Sequence, residues 1–331
     1  MKVLGISCGR RNGNTEILVK EALMGAEECG AEIELVHLHD LTIKPCTGCN
    51  ACAIDMFDRC GAGHCIITDD DLSFIDEQIM ECDGLILGSP VYDRSCTGYL
   101  KTLGDRMGLS HDVAFRLTAK KQRQERGATG NEGPDERSFK PRVASLIAVG
   151  AGEWDTLALP SMSIFAMSLQ MEVVDRIRAN GIGFFRVVSL HEDLLERAHR
   201  SGRHVAETLS RPIEEADYIG EPGLCPICQS TLIEVRHGAD PYPTVCAVCG
   251  VKGTLSVVDG QVCFDVSEEE RVHSRMLLSG KLEYMETLAG NSLKPPAEMG
   301  EIFKRTVKYK NHPPYSKPPR DQQPSSGPSG G

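Results

Sequence analysis

Residues 1–210 alternate between short apolar runs and helix-like repeats, and this alternation constrains the fold more than any other feature. The strand-like runs lie at 2–6, 32–38, 84–88, 142–150 and 184–190. Helical spacing of apolar residues follows the first run, and an amphipathic pattern at 191–209 closes the series. Strands separated by helices pair in parallel, so the pattern predicts an α/β fold with a doubly wound, five-stranded parallel sheet. Ligands of such sheets bind beyond the carboxyl ends of the strands.

Composition limits the compartment and the partners. The chain has 331 residues, 14 cysteines and a net charge of −11. The opening MKVLGISCGRRNG lacks the unbroken apolar core of a signal peptide, and later apolar runs are too short to span a bilayer. We therefore expect a cytoplasmic protein without a membrane partner, whose reduced thiols serve metal or redox chemistry rather than disulfides. The acidic balance argues against nucleic acid as a partner, because phosphate contacts need Lys and Arg.

The loop SCGRRNGNTE (7–16) joins the first strand run to the first helix run. A helix N-terminus attracts anions because its first amide groups are unpaired and the helix dipole is positive there. The glycines and polar side chains of the loop are Ser7, Gly9, Arg10, Arg11, Gly13, Asn14 and Thr15. The motif G-x-G-x-x-G and the P-loop lysine are absent, so a monophosphate fits better than a dinucleotide. A polar turn capped by Asn14 or Thr15 is the structural alternative.

This loop, together with GSPVYDRSCTGYLKTLGDR (88–106), resembles the flavodoxin-like NAD(P)H-dependent FMN reductases, in particular their iron–sulfur flavoprotein branch. The resemblance covers residues 1 to about 210 and implies a flavodoxin-like fold that binds FMN. It implies that the FMN phosphate is held by Ser7, Arg10, Gly13, Asn14 and Thr15. It also implies that the isoalloxazine ring lies along Pro90, Val91 and Tyr92. The family shares the pattern formed by Lys101, Asp105 and Arg106.

The same resemblance implies that the loop GAGEW (150–154) completes the flavin pocket. Gly152 would permit close approach to the ring, and Trp154 would stack on it. Plain packing of Trp154 is the alternative.

The segment 45–66 carries five cysteines within an otherwise ordinary α/β pattern. Cys46, Cys49 and Cys52 form C-x2-C-x2-C, a spacing that lets three thiolates converge on a 4Fe–4S cluster. A single zinc ion does not require a third cysteine at this interval. The fourth ligand is either Cys60, by compact spacing, or Cys65, which aligns with the last cysteine of the family motif. Inert core thiols in a cluster-free protein are the alternative.

A second metal site is predicted near the C-terminus. Cys225 and Cys228 form one C-x2-C pair, and Cys246 and Cys249 form another. Two such pairs predict a closed tetrahedral site, in which zinc plays a structural role. Iron in a rubredoxin-like site is the competing interpretation, although rubredoxins usually separate their pairs further. Few basic residues surround these cysteines, which argues against a nucleic-acid-binding ribbon.

These features predict four regions. Residues 1–212 form the FMN-binding domain, with the cysteine-rich insertion 45–66 and a charged insertion at 110–141. Residues 221–266 form the zinc-ribbon-like module, which includes a hairpin, and residues 267–310 form a helical extension that Ser267 and Glu270 open as a capping box. Residues 311–331 are rich in Pro, Ser and Gly and are expected to be disordered. The charged insertion is either a solvated excursion or a lid or docking patch.

The resemblance and the cysteine motifs predict a flavin-dependent oxidoreductase. It would move electrons between NAD(P)H or ferredoxin, FMN and a 4Fe–4S cluster, and pass them to an acceptor that the sequence does not name. No residue is indicated as a catalytic acid or base, and the resemblance implies a homo-oligomer. Two alternatives remain open: a cluster-free NAD(P)H-dependent FMN or quinone reductase, and a redox-sensing scaffold that recruits a protein partner.

Overall fold

Five parallel strands form the central sheet, in the order β2-β1-β3-β4-β5. Their bounds are Lys2–Ser7 (β1), Glu32–His37 (β2), Gly84–Pro90 (β3), Arg142–Val149 (β4) and Met171–Ala179 (β5). The strand order reverses beside β1, where one connection runs to β2 and the next crosses to β3. In sheets of this kind ligands bind at that reversal, at the carboxyl ends of the strands. The predicted doubly wound fold is confirmed.

The computed structural model describes residues 1–130, 132–238, 243–288, 297–310 and 313. The chain divides into two units, residues 1–287 and residues 288–331. Within the described ranges, no helix combines the length and the apolar character needed to cross a membrane.

Helices cover both faces of the sheet. One face packs against α1 (Asn14–Glu28) and α7 (Glu192–Leu209). The other packs against α3 (Leu72–Glu81), α4 (Gly98–His111) and α6 (Ala158–Ser168). Since both faces are buried, the inner strands are mainly apolar, and every residue of β4 is buried, including Arg142 and Ser145.

The backbones of α1 and α7 touch through two glycines. A Cβ atom on Gly202 would lie 1.6 Å from the carbonyl oxygen of Ala22, and one on Gly25 would lie 2.1 Å from that of His199. Any larger side chain would force the helices apart.

The fifth strand differs from the prediction. Residues 184–190 were expected to form it, but they form a loop and a short 3₁₀ turn at Val187–Leu190. The strand is Met171–Ala179, in which charged residues interrupt the apolar pattern. One of them, Asp175, is fully buried and accepts a hydrogen bond of 2.6 Å from Arg197 of α7. This ion pair makes a charged sequence compatible with the sheet.

Both insertions of the FMN-binding domain contain a helix. The cysteine-rich insertion holds α2 (Ala51–Phe57), and the charged insertion holds α5 (Val113–Glu125). Helix α5 buries Phe115 and Ala119, and Phe115 packs near Phe57 with ring centroids 5.9 Å apart. The charged insertion therefore begins as a packed helix, whereas residues 121–130 are mostly exposed.

A second sheet of four antiparallel strands forms the small module. Its strands are Ile233–Val235 (β6), Thr244–Cys246 (β7), Lys252–Val258 (β8) and Gln261–Asp265 (β9). The predicted hairpin is confirmed as β8 and β9, which pair antiparallel. Asp259 and Gly260 join them with φ of 51° and 79°, as a two-residue turn between twisted strands requires.

The region after the module is helical but interrupted. A single helix from Ser267 to about Leu288 was expected, and instead α8 (Glu268–Arg271) and α9 (Leu278–Leu288) are separated by a turn. Ser267 caps α8 as predicted, since its hydroxyl accepts a hydrogen bond from the Glu270 amide at 3.3 Å. In the second unit, α10 spans Met299–Thr306. The predicted disordered tail, 311–331, lies outside the described residues except for residue 313.

Candidate functional site

A cavity of about 270 Å³ opens at the carboxyl edge of the sheet, above the ends of β1, β3 and β4. We call it the cradle. Its lining residues are Gly9, Arg10, Gly13, Asn14, Thr15, Pro90, Val91, Tyr92, Val149, Ala151, Ile182 and Gly183. The structure thus brings together most of the residues expected to bind FMN. The exceptions are Ser7, Gly152 and Trp154.

The start of α1 forms the polar end of the cradle. The preceding loop folds back on itself, because the Gly13 amide donates to the Arg10 carbonyl at 3.0 Å and Asn12 adopts a left-handed φ of 53°. Helix α1 then begins at Asn14, so its unpaired first-turn amides lie at the cavity wall. A phosphate group fits this end of the cradle.

One of the two loop arginines is available to an anion. Arg11 pairs with Asp40 and is thereby held away from the cradle. Arg10 lines the cavity, and its guanidinium lies 4.2 Å from the ring centroid of Phe185. Arg10 therefore supplies the positive charge beside the α1 N-terminus.

Two expected phosphate ligands differ from the prediction, Ser7 by its burial and Asn14 by its hydrogen bonds to another loop. The Ser7 side chain is fully buried in β1, and its hydroxyl has no hydrogen-bond partner among the described residues. The Asn14 side-chain amide donates to the carbonyls of Ile182 at 3.2 Å and Phe184 at 2.7 Å. The Asn14 side-chain oxygen accepts from the Val188 amide at 3.2 Å. Asn14 thus fastens the loop after β5 to the cradle.

The loop after β4 lies at the rim. Trp154 is 71% exposed and stacks with Arg94, whose guanidinium carbon is 4.4 Å from the ring centroid. This excludes plain core packing as its role. The Cβ position of Gly152 faces open space, so the lining contribution of this loop comes from Ala151.

Arg106 of α4 fixes both flanks of the cysteine-rich segment. It forms a fully buried ion pair of 2.6 Å with Asp70, and it donates to the carbonyls of Lys44 at 2.7 Å and Ile67 at 3.0 Å. Burial alone would raise the pKa of Asp70, but hydrogen bonds from Arg106 and from backbone amides lower it overall. The carboxylate therefore stays charged and joins the two ends of the segment.

Helix α5 holds the middle of the same segment. Arg123 donates to the Cys60 carbonyl at 2.6 Å, and Arg126 donates to the Phe57 carbonyl at 2.9 Å. Arg126 also lies 3.7 Å from the Cys60 sulfur. The positive charges of the charged insertion therefore bind the cysteine-rich segment of the same chain.

The five thiols of this segment are arranged unequally. Cys46 and Cys49 are exposed, Cys52 and Cys65 are half-buried, and Cys60 is buried with its sulfur beside Arg126. The charges of Cys46 and Cys65 both act on Cys52, whose pKa is raised chiefly by burial. The described thiols of this segment do not converge to the spacing of a single ion. An arginine lies beside two of these thiols, Arg126 beside Cys60 and Arg106 beside Cys65. A 4Fe–4S cluster needs four thiolates, and the five thiols of this segment can supply them.

The four C-terminal thiols are fully assembled. Their sulfurs lie within 4.8 Å of one another, with 3.7 Å between Cys225 and Cys249 and 3.5 Å between Cys228 and Cys246. Tetrahedral zinc with Zn–S bonds of about 2.3 Å needs sulfurs about 3.8 Å apart. All four are buried beside Val248, Val251 and Phe264. The site is closed and able to hold one metal ion.

Several residues of these sites were not expected from the sequence. They are Val149, Ile182 and Gly183 in the cradle, Phe185 beneath Arg10, and the arginines of α5 that bind the cysteine-rich segment. The run GIGFF (181–185) offered a signal, because glycines after a strand mark a turn where a ligand can approach. The arginine contacts join residues more than sixty positions apart, so no local pattern could reveal them.

Comparison with known proteins gives relatives of two kinds. A flavone synthase of Aspergillus candidus is 31% identical over 297 residues, which cover 87% of this chain and 88% of the relative. An iron–sulfur flavoprotein of Methanocaldococcus jannaschii is 45% identical over 107 residues, which cover 32% of this chain and 51% of that relative.

The solved structure of a flavone reductase superposes with a TM-score of 0.81 at 28% identity, and the match covers 96% of this chain and 100% of that one. The family model described as NADPH-dependent FMN reductase matches residues 1–180, more than half of the chain. The chain belongs to the NADPH-dependent FMN reductase family and is a flavin oxidoreductase.

Proposed function

We propose that this protein is an FMN-dependent reductase that takes a hydride from NAD(P)H and saturates the conjugated C=C bond of a flavone-type ketone. The match to a flavone synthase and a flavone reductase over nearly the whole chain, including the four-cysteine module, supports this substrate class. The matches to iron–sulfur flavoproteins cover less of the chain, 32% for the Methanocaldococcus jannaschii protein and 53% for one of Archaeoglobus fulgidus. The reaction balances when the nicotinamide supplies a hydride and water supplies a proton.

The residues of the cradle have distinct parts in this proposal. Arg10, the Thr15 side chain and the first-turn amides of α1 bind the FMN phosphate. Pro90, Val91 and Tyr92 would hold the isoalloxazine ring, and Ala151 lines the same cavity. Bound FMN supplies the two-electron hydride chemistry. The protein contributes orientation and the exclusion of water.

The experiment uses protein purified without oxygen. NADH and NADPH are added separately to identify the donor, and flavone is then added while the products are followed by mass spectrometry. We expect a product heavier by two hydrogens, with one nicotinamide oxidised for each molecule formed. Rapid flavin reduction without any change in flavone would contradict the substrate class.

We further propose that Cys46, Cys49, Cys52 and Cys65 hold a 4Fe–4S cluster that exchanges single electrons with FMN or with ferredoxin. The interactions of Cys46 and Cys65 with Cys52 support this ligand set, whereas Cys60 is the buried thiol of the segment. Iron and acid-labile sulfide in anaerobic protein would support the cluster, and their absence would favour a cluster-free reductase.

We propose zinc rather than iron in the four-cysteine module, with a structural role. The closed, buried arrangement of the four sulfurs supports a site without an open coordination position. Elemental analysis of aerobic protein distinguishes the two metals.

We also propose a homo-oligomer that forms near the mouth of the cradle. Large apolar side chains are exposed there, namely Tyr92, Trp154, Phe184 and Leu190. Exposed apolar groups of this kind mark association surfaces. Light scattering of the purified protein measures the oligomeric state.

A further inference from the structure

A second cavity of about 340 Å³ lies next to the cradle. We call it the apolar cleft. Its walls include Leu38, Leu41, Ile43, Tyr92, Thr97 and Tyr99. Tyr92 also lines the cradle, so the two cavities share a wall.

Two elements build the apolar cleft. The chain leaving β2 supplies Leu38, Leu41 and Ile43, which pack against the main core. The start of α4 supplies Thr97 and Tyr99 from the opposite side. The carboxyl end of the sheet therefore carries an apolar surface beside its phosphate-binding surface.

The rim of the apolar cleft is aromatic. Tyr92 is 59% exposed and Tyr99 is 48% exposed. The Tyr99 ring stacks on His39, with ring centroids 4.4 Å apart and an interplanar angle of 36°. A tyrosine held in this way presents its ring to a planar ligand with little loss of side-chain freedom.

One residue of the apolar cleft, Thr97, has a buried hydroxyl that lacks a good hydrogen-bond partner among the described residues. The Thr97 side chain is 1% exposed, and its hydroxyl forms no hydrogen bond of normal geometry with any described residue, beyond a weak contact with the Cys8 thiol. Buried hydroxyl groups are normally hydrogen-bonded, so such a group beside a cavity indicates a place for a ligand or a water.

The lining contains no charged side chain among the described residues. The start of α4 offers backbone amides at this cleft, but the described lining holds no cationic side chain that would pair with the phosphates of a nicotinamide dinucleotide. The apolar cleft therefore suits a neutral ligand, and its volume lies within the range of small-molecule sites.

We propose that the apolar cleft binds the electron acceptor, a neutral planar aromatic ketone of the flavone class, stacked on Tyr99 and Tyr92 beside the flavin. This inference rests on the proposed function and adds the location of the substrate. Leu38, Leu41 and Ile43 cover the aryl ring system, and the rim tyrosines orient it toward the cradle.

The test is a binding titration of oxidised, FMN-loaded protein with flavone, followed by calorimetry and by the shift of the flavin absorption band. Leu41→Trp fills the apolar cleft and should weaken flavone binding by roughly tenfold or more. Tyr99→Leu removes the stacking surface and should weaken it by about fivefold, whereas Tyr99→Phe keeps the ring and should stay within about twofold of the wild type. Val257→Trp places the same indole on an exposed strand of the small module and should leave binding unchanged.

The outcomes separate the two proposals. Loss of flavone binding in Leu41→Trp and Tyr99→Leu supports the proposed binding site. If the wild type binds flavone at this site but does not reduce it, only the proposed function is contradicted. Flavone that is reduced, but binds Leu41→Trp and Tyr99→Leu as tightly as the wild type, overturns the site alone. Absence of flavone binding to the wild type also overturns it. A further result would also overturn the site: Leu41→Trp dissociates an oligomer but leaves flavone binding unchanged. The apolar cleft would then be a subunit interface.

Discussion

The two cysteine groups of this chain differ in what holds them together. The C-terminal four are buried, lie within 4.8 Å of one another, and form the centre of their own small core. The N-terminal group ranges from the exposed Cys46 and Cys49 to the buried Cys60, and arginine side chains from α4 and α5 hold its backbone.

This difference indicates whether each region should stay folded without the metal proposed for it. In the small module, the four thiols lie at the centre of the core, so binding of the proposed metal and folding should be coupled. In the cysteine-rich segment, Arg106, Arg123 and Arg126 bind backbone carbonyls without any metal. The cysteine-rich segment should therefore keep its backbone conformation when the proposed 4Fe–4S cluster is lost.

Cys228→Ser is expected to have the largest effect. Removal of one ligand should cost more than about 5 kcal/mol of the roughly 10–16 kcal/mol that zinc supplies to such modules. Metal content should fall, and hydrogen exchange in β7, β8 and β9 should lose its protection while the central sheet keeps its own. Cys263→Ser, at a half-buried thiol outside the four-cysteine group, is the matched control.

Cys65→Ser should remove the proposed cluster without unfolding the domain. Iron and sulfide should be lost in Cys65→Ser and retained in Cys60→Ser, because Cys65 interacts with Cys52 of the proposed ligand set whereas Cys60 is buried. The measurement is iron and sulfide content together with thermal unfolding of anaerobic protein. Loss of iron in Cys60→Ser with retention in Cys65→Ser would reverse the ligand assignment.

Arg106→Met should destabilise the FMN-binding domain by about 3–5 kcal/mol, because it leaves the buried Asp70 carboxylate unpaired and frees both flanks of the cysteine-rich segment. Chemical denaturation measures the free energy of unfolding. Lys101→Met, on an exposed turn of the same helix, is the control and should change stability by less than about 0.5 kcal/mol. If Arg106→Met and Lys101→Met lowered the free energy of unfolding equally, Arg106 would not stabilise the cysteine-rich segment.

Asp70→Asn should show a smaller, pH-dependent effect of about 2–3 kcal/mol at pH 7. The pKa of Asp70 is lowered in the folded state, so its contribution to stability is complete above the unfolded pKa of about 3.9. The contribution is lost as pH falls through the lower folded pKa. The difference in unfolding free energy between wild type and variant should therefore shrink below about pH 4. If this difference in unfolding free energy did not change with pH, the charge of the Asp70 carboxylate would not contribute to stability.

The sequence predicted the parts of the fold that depend on local patterns. The structure confirms four of the predicted strands, the helices α1 and α7, and the β8–β9 hairpin. Continuous apolar runs and turn residues can be recognised in short stretches of sequence. The fifth strand was misplaced because Met171–Ala179 contains charged residues that are neutralised by contacts such as that of Asp175 with Arg197. FFRVVSL has strand-forming residues, yet Arg186 adopts a φ of 63° and Phe184 is 80% exposed.

The candidate site was predictable to a similar degree. The glycines and polar residues around Arg10 and the run Pro90–Tyr92 lie in the cradle, since they follow strands directly. The engagement of Asn14 with the loop after β5 spans more than 160 residues, and only the folded chain shows it. The same is true of Arg106, whose partners lie 36 to 62 residues away.

Anaerobic titration of purified protein with NADPH tests most directly whether the carboxyl edge of the sheet holds a reducible flavin. We expect about one FMN per chain, and its visible absorption band should bleach as NADPH is oxidised in equal amount. Protein that neither contains flavin nor binds added FMN, or flavin that neither NADPH nor NADH reduces, would contradict this assignment of the cradle.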